Sequence, residues 1–162
     1  MKQQTIKQSI SISGTGLHTG QKGTLTFNPA PEHHGIKFRR IDIEGQPIVE
    51  AKVENVVDTS RGTTIAQNGA RVYTVEHILA SVRGAGIDNI LIDINCEEPP
   101  IQDGSAKNMI ETLKSAGIVE QNAEREYLRI NKELTYINEK IGAEITITPA
   151  DDFRMEVSVD YN

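Results

Sequence analysis

The stretch Val72-Tyr73-Thr74-Val75-Glu76-His77-Ile78-Leu79-Ala80 contains the clearest helix signal of the chain and two side chains capable of chemistry. Apolar residues recur there at i, i+3, i+4 and i+7, which predicts one buried helix face formed by Val75, Ile78, Leu79 and Val82. Thr74 is predicted to cap the helix start, because its hydroxyl can accept a bond from an unpaired N–H of the first turn. Gly84 is expected to mark its end.

Glu76 and His77 fall in the first turn of this predicted helix. The positive end of the helix dipole favours a carboxylate there and disfavours a protonated imidazole. A neutral histidine beside an ionised glutamate is the pair that a zinc ligand with an adjacent general base requires. Two ordinary polar residues at a helix start would look the same, so the pair alone leaves both interpretations open.

The segments around this helix are mainly strand-forming. Asn68-Gly69 separates two short strand patterns and predicts a hairpin directly before the helix. The most apolar strand pattern covers 90–94 and is expected at the centre of a sheet, and a second helix is predicted around Met109 and Leu113. Further alternating strands are predicted over 6–12, 24–27, 36–43, 49–53, 128–130, 134–137, 145–147 and 155–159. This order predicts an α+β fold, a two-layer domain of sheet and helices.

A short repeat suggests that the fold is duplicated. Leu25-Thr26-Phe27-Asn28-Pro29-Ala30 and Ile145-Thr146-Ile147-Thr148-Pro149-Ala150 share one pattern at an offset of 120 positions (145 minus 25). We therefore predict a duplicated β-α-α-β unit, with residues 1–123 as a complete first domain. Residues 124–162 are expected to be the opening strands of a truncated second copy. Strands without covering helices should promote self-association through Ile145, Ile147, Met155, Val157 and Val159.

Composition excludes several classes of protein. The net charge is −6 with no basic run, which argues against nucleic acid as a partner. No run approaches 18 apolar residues and the N-terminal residues have no apolar signal core, so neither a transmembrane helix nor secretion by a standard signal is expected. Cys96 is the only cysteine, which excludes disulfides within the chain and a cysteine-rich zinc site.

Several separated motifs together resemble the UDP-3-O-acyl-N-acetylglucosamine deacetylase family, the zinc amidases that commit Gram-negative bacteria to lipid A synthesis. The matching segments occur in the family's order across essentially the whole chain: 16–20 (GLHTG), 58–59 (DT), 74–79 (TVEHIL), 86–90 (GIDNI) and 100–106 (PIQDGSA). The resemblance implies two copies of a sheet-and-helix domain, packed helix to helix around the active site, and a cytoplasmic enzyme.

The resemblance also implies roles for particular residues. His77 would be one of three zinc ligands, and Glu76 would be the general base for hydrolysis of the substrate's acetamide to acetate and a free amine. His18, Asp103 and Thr59 would support the site or contact the UDP-sugar substrate. In the family the other two zinc ligands lie in the second domain, and this chain has no histidine after His77. We therefore expect this chain alone to bind zinc weakly and to be inactive.

Two other readings stay open from the residues alone. A non-catalytic binding or scaffold module could retain the fold without the chemistry, although such a module has no need of His18, Glu76, His77 and Asp103 together. A small metal-binding protein could use His18, His77 and one carboxylate, but no spacing rule supports that set.

Overall fold

The computed structural model describes residues 1–158, and the chain divides into two compact units, Met1–Arg125 and Glu126–Asn162. The first unit contains two helices, α1 (Glu76–Gly84) and α2 (Lys107–Ser115), and ten strands: β1 (Lys2–Ile6), β2 (Ile10–Thr15), β3 (Lys22–Pro29), β4 (Ile36–Arg40), β5 (Ile48–Glu50), β6 (Val56–Asp58), β7 (Thr64–Gln67), β8 (Ala70–Val72), β9 (Ile90–Ile94) and β10 (Ile118–Glu124). A short 3-10 helix, Val53–Asn55, precedes β6.

The main sheet has the strand order β2-β3-β9-β4-β5, so β9 is its central strand as predicted. β9 pairs antiparallel with β3 and parallel with β4. Ile92 lies beside Phe27 on one side and Phe38 on the other, and all three side chains are fully buried. A strand flanked on both sides needs apolar residues on its core face, which explains the run of isoleucines at 90, 92 and 94.

The two helices contact each other and share one hydrophobic core with this sheet. Val75, Ile78 and Val82 are fully buried, while Leu79 is half-buried, so the predicted apolar face of α1 is confirmed. Helix α2 buries Met109 and Leu113. Helices joined to a predominantly antiparallel sheet confirm the α+β class.

A second, three-stranded sheet, β6-β7-β8, leads directly into α1. In its hairpin Gln67 pairs with Ala70, and the intervening Asn68 and Gly69 have φ values of 52° and 76°. Positive φ at both positions is the geometry of a type I′ turn. The predicted hairpin is therefore confirmed.

The prediction of one strand from Ile6 to Ile12 was wrong. The chain bends between β1 and β2, and β1 pairs antiparallel with β10, a strand that the sequence did not predict. Few residues of β10 are apolar, and one that it turns inward is Gln121, whose side chain bonds to Asn89. A polar contact of this kind leaves no apolar alternation to detect.

The second unit contains one antiparallel hairpin, β11 (Leu134–Asn138) with β12 (Ala143–Ile147). The expected strand at 128–130 is wrong, and Met155 and Val157 are not in a strand; Val159 lies outside the described residues. β12 occupies the positions that correspond to β3 at the 120-residue offset, but the duplication itself stays a prediction. Self-association also stays a prediction, although Tyr136 and Ile145 are 63% and 60% exposed.

Within the described residues, each α-helix has nine residues and no helix is long or apolar enough to cross a membrane.

Candidate active site

The backbone turns sharply before α1. Thr74 has φ of +50°, a conformation that a β-branched residue rarely adopts, and the residue at the N-cap of the helix is Val75. The predicted N-cap role of Thr74 was therefore wrong, because its hydroxyl makes no capping bond and donates instead to Glu98 Oε1 at 3.0 Å. The turn places Glu76 as the first residue of α1.

Glu76 is half-buried and is anchored by a neighbouring loop. The backbone N–H of Thr63 donates to Glu76 Oε2 at 2.9 Å. A Cβ added to Gly62 would lie 3.0 Å from the other oxygen, Oε1, so the absence of a side chain at Gly62 leaves room there. Glu76 thus presents one fixed oxygen and one that is available to a reacting group.

His77 is oriented by the loop that precedes α2. Its Nδ1 lies 3.1 Å from the carbonyl oxygen of Gly104. Because a carbonyl only accepts, Nδ1 must carry the hydrogen, which leaves the lone pair of a neutral ring on Nε2. A histidine ring fixed through one nitrogen by a backbone carbonyl is the usual arrangement of a metal ligand that binds through the other.

Asp103 organises that same loop. Its Oδ1 accepts bonds from the backbone N–H of Ser105 at 3.0 Å and from the Ser105 hydroxyl at 2.9 Å. These bonds lower the pKa of Asp103, so the carboxylate is ionised near neutral pH. Asp103 thus bonds within the loop whose Gly104 carbonyl contacts the His77 ring.

His18 lies in the exposed loop after β2. Its Nε2 is 3.1 Å from the carbonyl oxygen of Arg61, so Nε2 donates this bond. Arg61 is two residues before Thr63, which bonds to Glu76. The segment 61–63 thus joins His18 to Glu76, and the structure brings these two predicted residues to one region.

A cavity of about 220 Å³ opens beside this segment. Its walls come from the His18 loop, the segment from the end of β6 to the start of β7, the two residues that follow β8, and the loop after β9: His18, Thr19, Asp58, Ser60, Arg61, Gly62, Thr64, Tyr73, Thr74 and Glu98. Thr59 is exposed and does not line the cavity, although both of its neighbours do. Its predicted contact with substrate stays a prediction.

Glu98 is the member of the site that the sequence did not reveal. Pro99 and Pro100 follow it, which is typical of a rigid surface loop, yet its side chain is only 1% exposed. It accepts hydrogen bonds from His18, Thr19 and Thr74. The only sequence signal was an acidic residue shortly after the most apolar strand, which does not distinguish a buried carboxylate from an exposed one.

The donors present fit part of a metal site. No group of three or more histidine, cysteine, aspartate or glutamate side chains able to hold a metal occurs within residues 1–158. His77 nevertheless offers a free Nε2 on a fixed ring, next in sequence to Glu76 with its available oxygen. The described residues therefore fit one zinc ligand and an adjacent base.

Comparison with known proteins places this arrangement in a family. The family model described as UDP-3-O-acyl N-acetylglycosamine deacetylase matches residues 3–162. The chain belongs to this family. The resemblance seen in the sequence motifs is thereby confirmed, and Glu76, His77 and Asp103 lie within the matched range.

Individual relatives are longer than this chain. It is 45% identical over 164 residues to the UDP-3-O-acyl-N-acetylglucosamine deacetylase of Saccharophagus degradans, covering 100% of this chain and 53% of the relative. It is 44% identical over 162 residues to the bifunctional enzyme LpxC/FabZ of Bacteroides thetaiotaomicron, covering 100% of this chain and 35% of the relative. The chain thus spans about half the length of the curated deacetylase that it matches.

Proposed function

We propose that this chain forms part of a deacetylase that hydrolyses the acetamide of UDP-3-O-acyl-N-acetylglucosamine, the committed step of lipid A synthesis. Membership of the family supports the substrate and the reaction class. The observation that carries the proposal is the pair at the start of α1. The His77 ring is fixed by the Gly104 carbonyl, and Glu76 presents a free oxygen next to Gly62.

Each residue has a definite task in this proposal. His77 would hold zinc through Nε2, since Nδ1 is engaged. Zinc, when bound, lowers the pKa of a coordinated water toward neutrality and polarises an amide carbonyl. Glu76 Oε1 takes a proton from the attacking water, while the Thr63 N–H fixes the carboxylate through Oε2. Oxygen adds to the acetyl carbon, the C–N bond breaks, and a proton ends on the amine, so the products are acetate and a free glucosamine nitrogen.

The remaining zinc ligands are proposed to lie outside residues 1–158. One histidine cannot make a catalytic zinc site, which normally has three protein donors. The deacetylase relative from Saccharophagus degradans is about twice as long as this chain. The 162-residue chain alone is therefore expected to bind zinc weakly and to lack activity.

Location follows from the proposed substrate. Nucleotide-activated sugars are supplied by cytoplasmic metabolism, so we propose that the protein acts in the cytoplasm.

The test compares the 162-residue chain with the complete product of the same gene. Acetate release is measured from UDP-3-O-acyl-N-acetylglucosamine and from UDP-N-acetylglucosamine, which lacks the acyl chain. We expect zinc-dependent release only from the complete product and mainly from the acylated substrate. Absence of release by the zinc-loaded complete product would favour the scaffold alternative, and activity of the short chain would refute the missing-ligand argument.

A further inference from the structure

The buried carboxylate of Glu98 lies where two loops of the candidate site meet. Glu98 Oε2 accepts bonds from the Thr19 N–H at 2.7 Å and the Thr19 hydroxyl at 2.8 Å. The His18 N–H reaches both oxygens, at 3.0 and 3.1 Å. A carboxylate this deeply buried is unfavourable unless donors surround it, and here His18, Thr19 and Thr74 all donate to it.

The second loop reaches Glu98 through Thr74. The hydroxyl of Thr74 donates to Oε1 at 3.0 Å. Thr74 is 5% exposed and has φ of +50°, a strained conformation that persists only where surrounding contacts enforce it. It is followed by Val75 and then Glu76, so the geometry at Thr74 sets where the first turn of α1 begins.

The packing around Glu98 leaves no spare room on the side of the His18 loop. A Cβ added to Gly16 would lie 2.5 Å from Glu98 Oε2 and 2.7 Å from the Thr19 hydroxyl oxygen. Glycine therefore allows the loop backbone to approach the carboxylate closely. The contact is specific, because it requires both the absence of a side chain at Gly16 and several donors directed at the carboxylate.

Glu98 is ionised in this setting. Burial by itself would raise the pKa of the carboxyl group. The hydrogen bonds from the N–H groups of Thr19 and His18 and from the hydroxyls of Thr19 and Thr74 outweigh burial, so the pKa lies below its usual value. The charged form is thus the one that joins the two loops.

We propose that Glu98 is a positioning residue of the active site, whose carboxylate fixes the His18 loop to the residue that begins the turn into α1. His18 and Glu76 are both attached to the segment 61–63, His18 through the Arg61 carbonyl and Glu76 through the Thr63 N–H. Glu98 also bonds to His18 and to Thr74, two positions before Glu76, so these contacts form a closed ring. The catalytic consequence rests on the proposed deacetylase function, whereas the positioning itself does not.

The first test replaces Glu98 by glutamine in the complete gene product. A glutamine places an N–H₂ group against donors, so the His18 loop must move. Asn89→Asp is the matched control, because it also exchanges an amide and a carboxyl group at a buried side chain. Asn89 lies before β9, whereas Glu98 lies after it. We expect Glu98→Gln to shift the ring resonances of His18 in NMR spectra and to lower kcat/KM about 10- to 100-fold. Asn89→Asp should leave the His18 resonances unchanged.

A second pair of variants decides the matter if Glu98→Gln does not fold. Thr74→Val removes the hydroxyl at nearly constant volume, while Thr74→Ser retains it. We expect the valine variant to shift the His18 resonances, although the Thr74 hydroxyl bonds to Glu98 rather than to His18, and the serine variant to preserve them.

The outcomes separate this inference from the proposed function. If the unaltered complete gene product has no deacetylase activity but Glu98→Gln shifts the His18 resonances, the positioning is supported and the proposed function is refuted. Unchanged His18 resonances in folded Glu98→Gln and Thr74→Val, or equal shifts in Asn89→Asp, would overturn the positioning whatever the activity.

Discussion

The two ends of β9 hold buried polar side chains of different chemistry. Asn89 lies before the strand and is 2% exposed; Glu98 lies after it and is 1% exposed. Asn89 both donates and accepts: its amide donates to the side chains of Gln3 and Gln121, and its oxygen accepts from the Gly35 N–H. Glu98 only accepts.

The difference separates the end of β9 that joins strands from the end where we propose the chemistry. The Asn89 amide joins β1, β10 and the loop before β4, so it fixes strands relative to one another. The Glu98 carboxylate joins two loops, one with His18 and one leading to Glu76. A buried charge is more costly to maintain than a neutral amide, because its desolvation penalty is larger. The buried charge thus lies at the end of β9 where we propose the chemistry.

The largest expected effect on activity separates His77, in the candidate site, from His33, near the Asn89 end of β9. His77→Ala removes the one zinc donor that the described residues fix, so the complete gene product should lose bound zinc and its activity should fall to background. His33→Ala is the control, because His33 is exposed and contacts Gln3 near the Asn89 end. Zinc is measured by elemental analysis of the purified proteins. Full zinc occupancy in His77→Ala would remove His77 from the ligand set.

A smaller effect is expected from Asp103→Ala. Loss of the bonds to Ser105 frees the loop, so the Gly104 carbonyl no longer fixes the His77 ring. Activity or zinc affinity should fall about 10- to 100-fold, the usual consequence of disturbing a residue that orients a ligand. Asp103→Asn, which keeps one acceptor oxygen, should recover most of the loss. Equal activity of Asp103→Ala and the unaltered protein would show that the loop orients itself without the carboxylate.

The smallest effect concerns pH. The lowered pKa of Glu98 means that its bonds stabilise the fold above the usual glutamate value of about 4.3. That stabilisation is lost as the pH falls through the lower pKa of the folded state. Hydrogen exchange should therefore show the Thr19 amide losing protection in acid before the Gly35 amide, whose acceptor on Asn89 does not titrate. Simultaneous loss of protection at both ends would contradict the comparison.

Strong apolar periodicity and turn chemistry were enough to predict much of the first unit. The isoleucines of β9, the Asn68-Gly69 hairpin and the buried face of α1 each have one dominant local cause. The Glu76-His77 pair could also be recognised as a candidate site from the sequence, because the two residues are adjacent in the chain. The resemblance to known deacetylases implies roles for His18, Asp103 and Thr59 that no local pattern assigns, and these roles stay predictions.

The features that could not be predicted depend on contacts between distant positions. Strand β10 forms through pairing with β1, about 115 residues away, and turns Gln121 toward Asn89. Arg40 is 3% exposed and bonds to Asp42 and the Arg71 carbonyl, although an arginine in a strand pattern gives no local sign of burial. Glu98 is buried for the same reason, since its donors come from segments about 80 and 24 positions away. Burial of polar groups is decided by partners that the local sequence does not show.

The central claim is that Glu76 is the general base beside a zinc ligand, and one measurement on Glu76→Gln tests it most directly. Deacetylase activity and zinc content are determined on the same sample of the complete gene product, with Glu120→Gln, an exposed residue of β10, as the control. The glutamine oxygen can still accept the Thr63 N–H, so the fold should persist. We predict full zinc occupancy with kcat lowered about 10²- to 10⁴-fold. Undiminished activity at full zinc occupancy would contradict the assignment of Glu76 as the base.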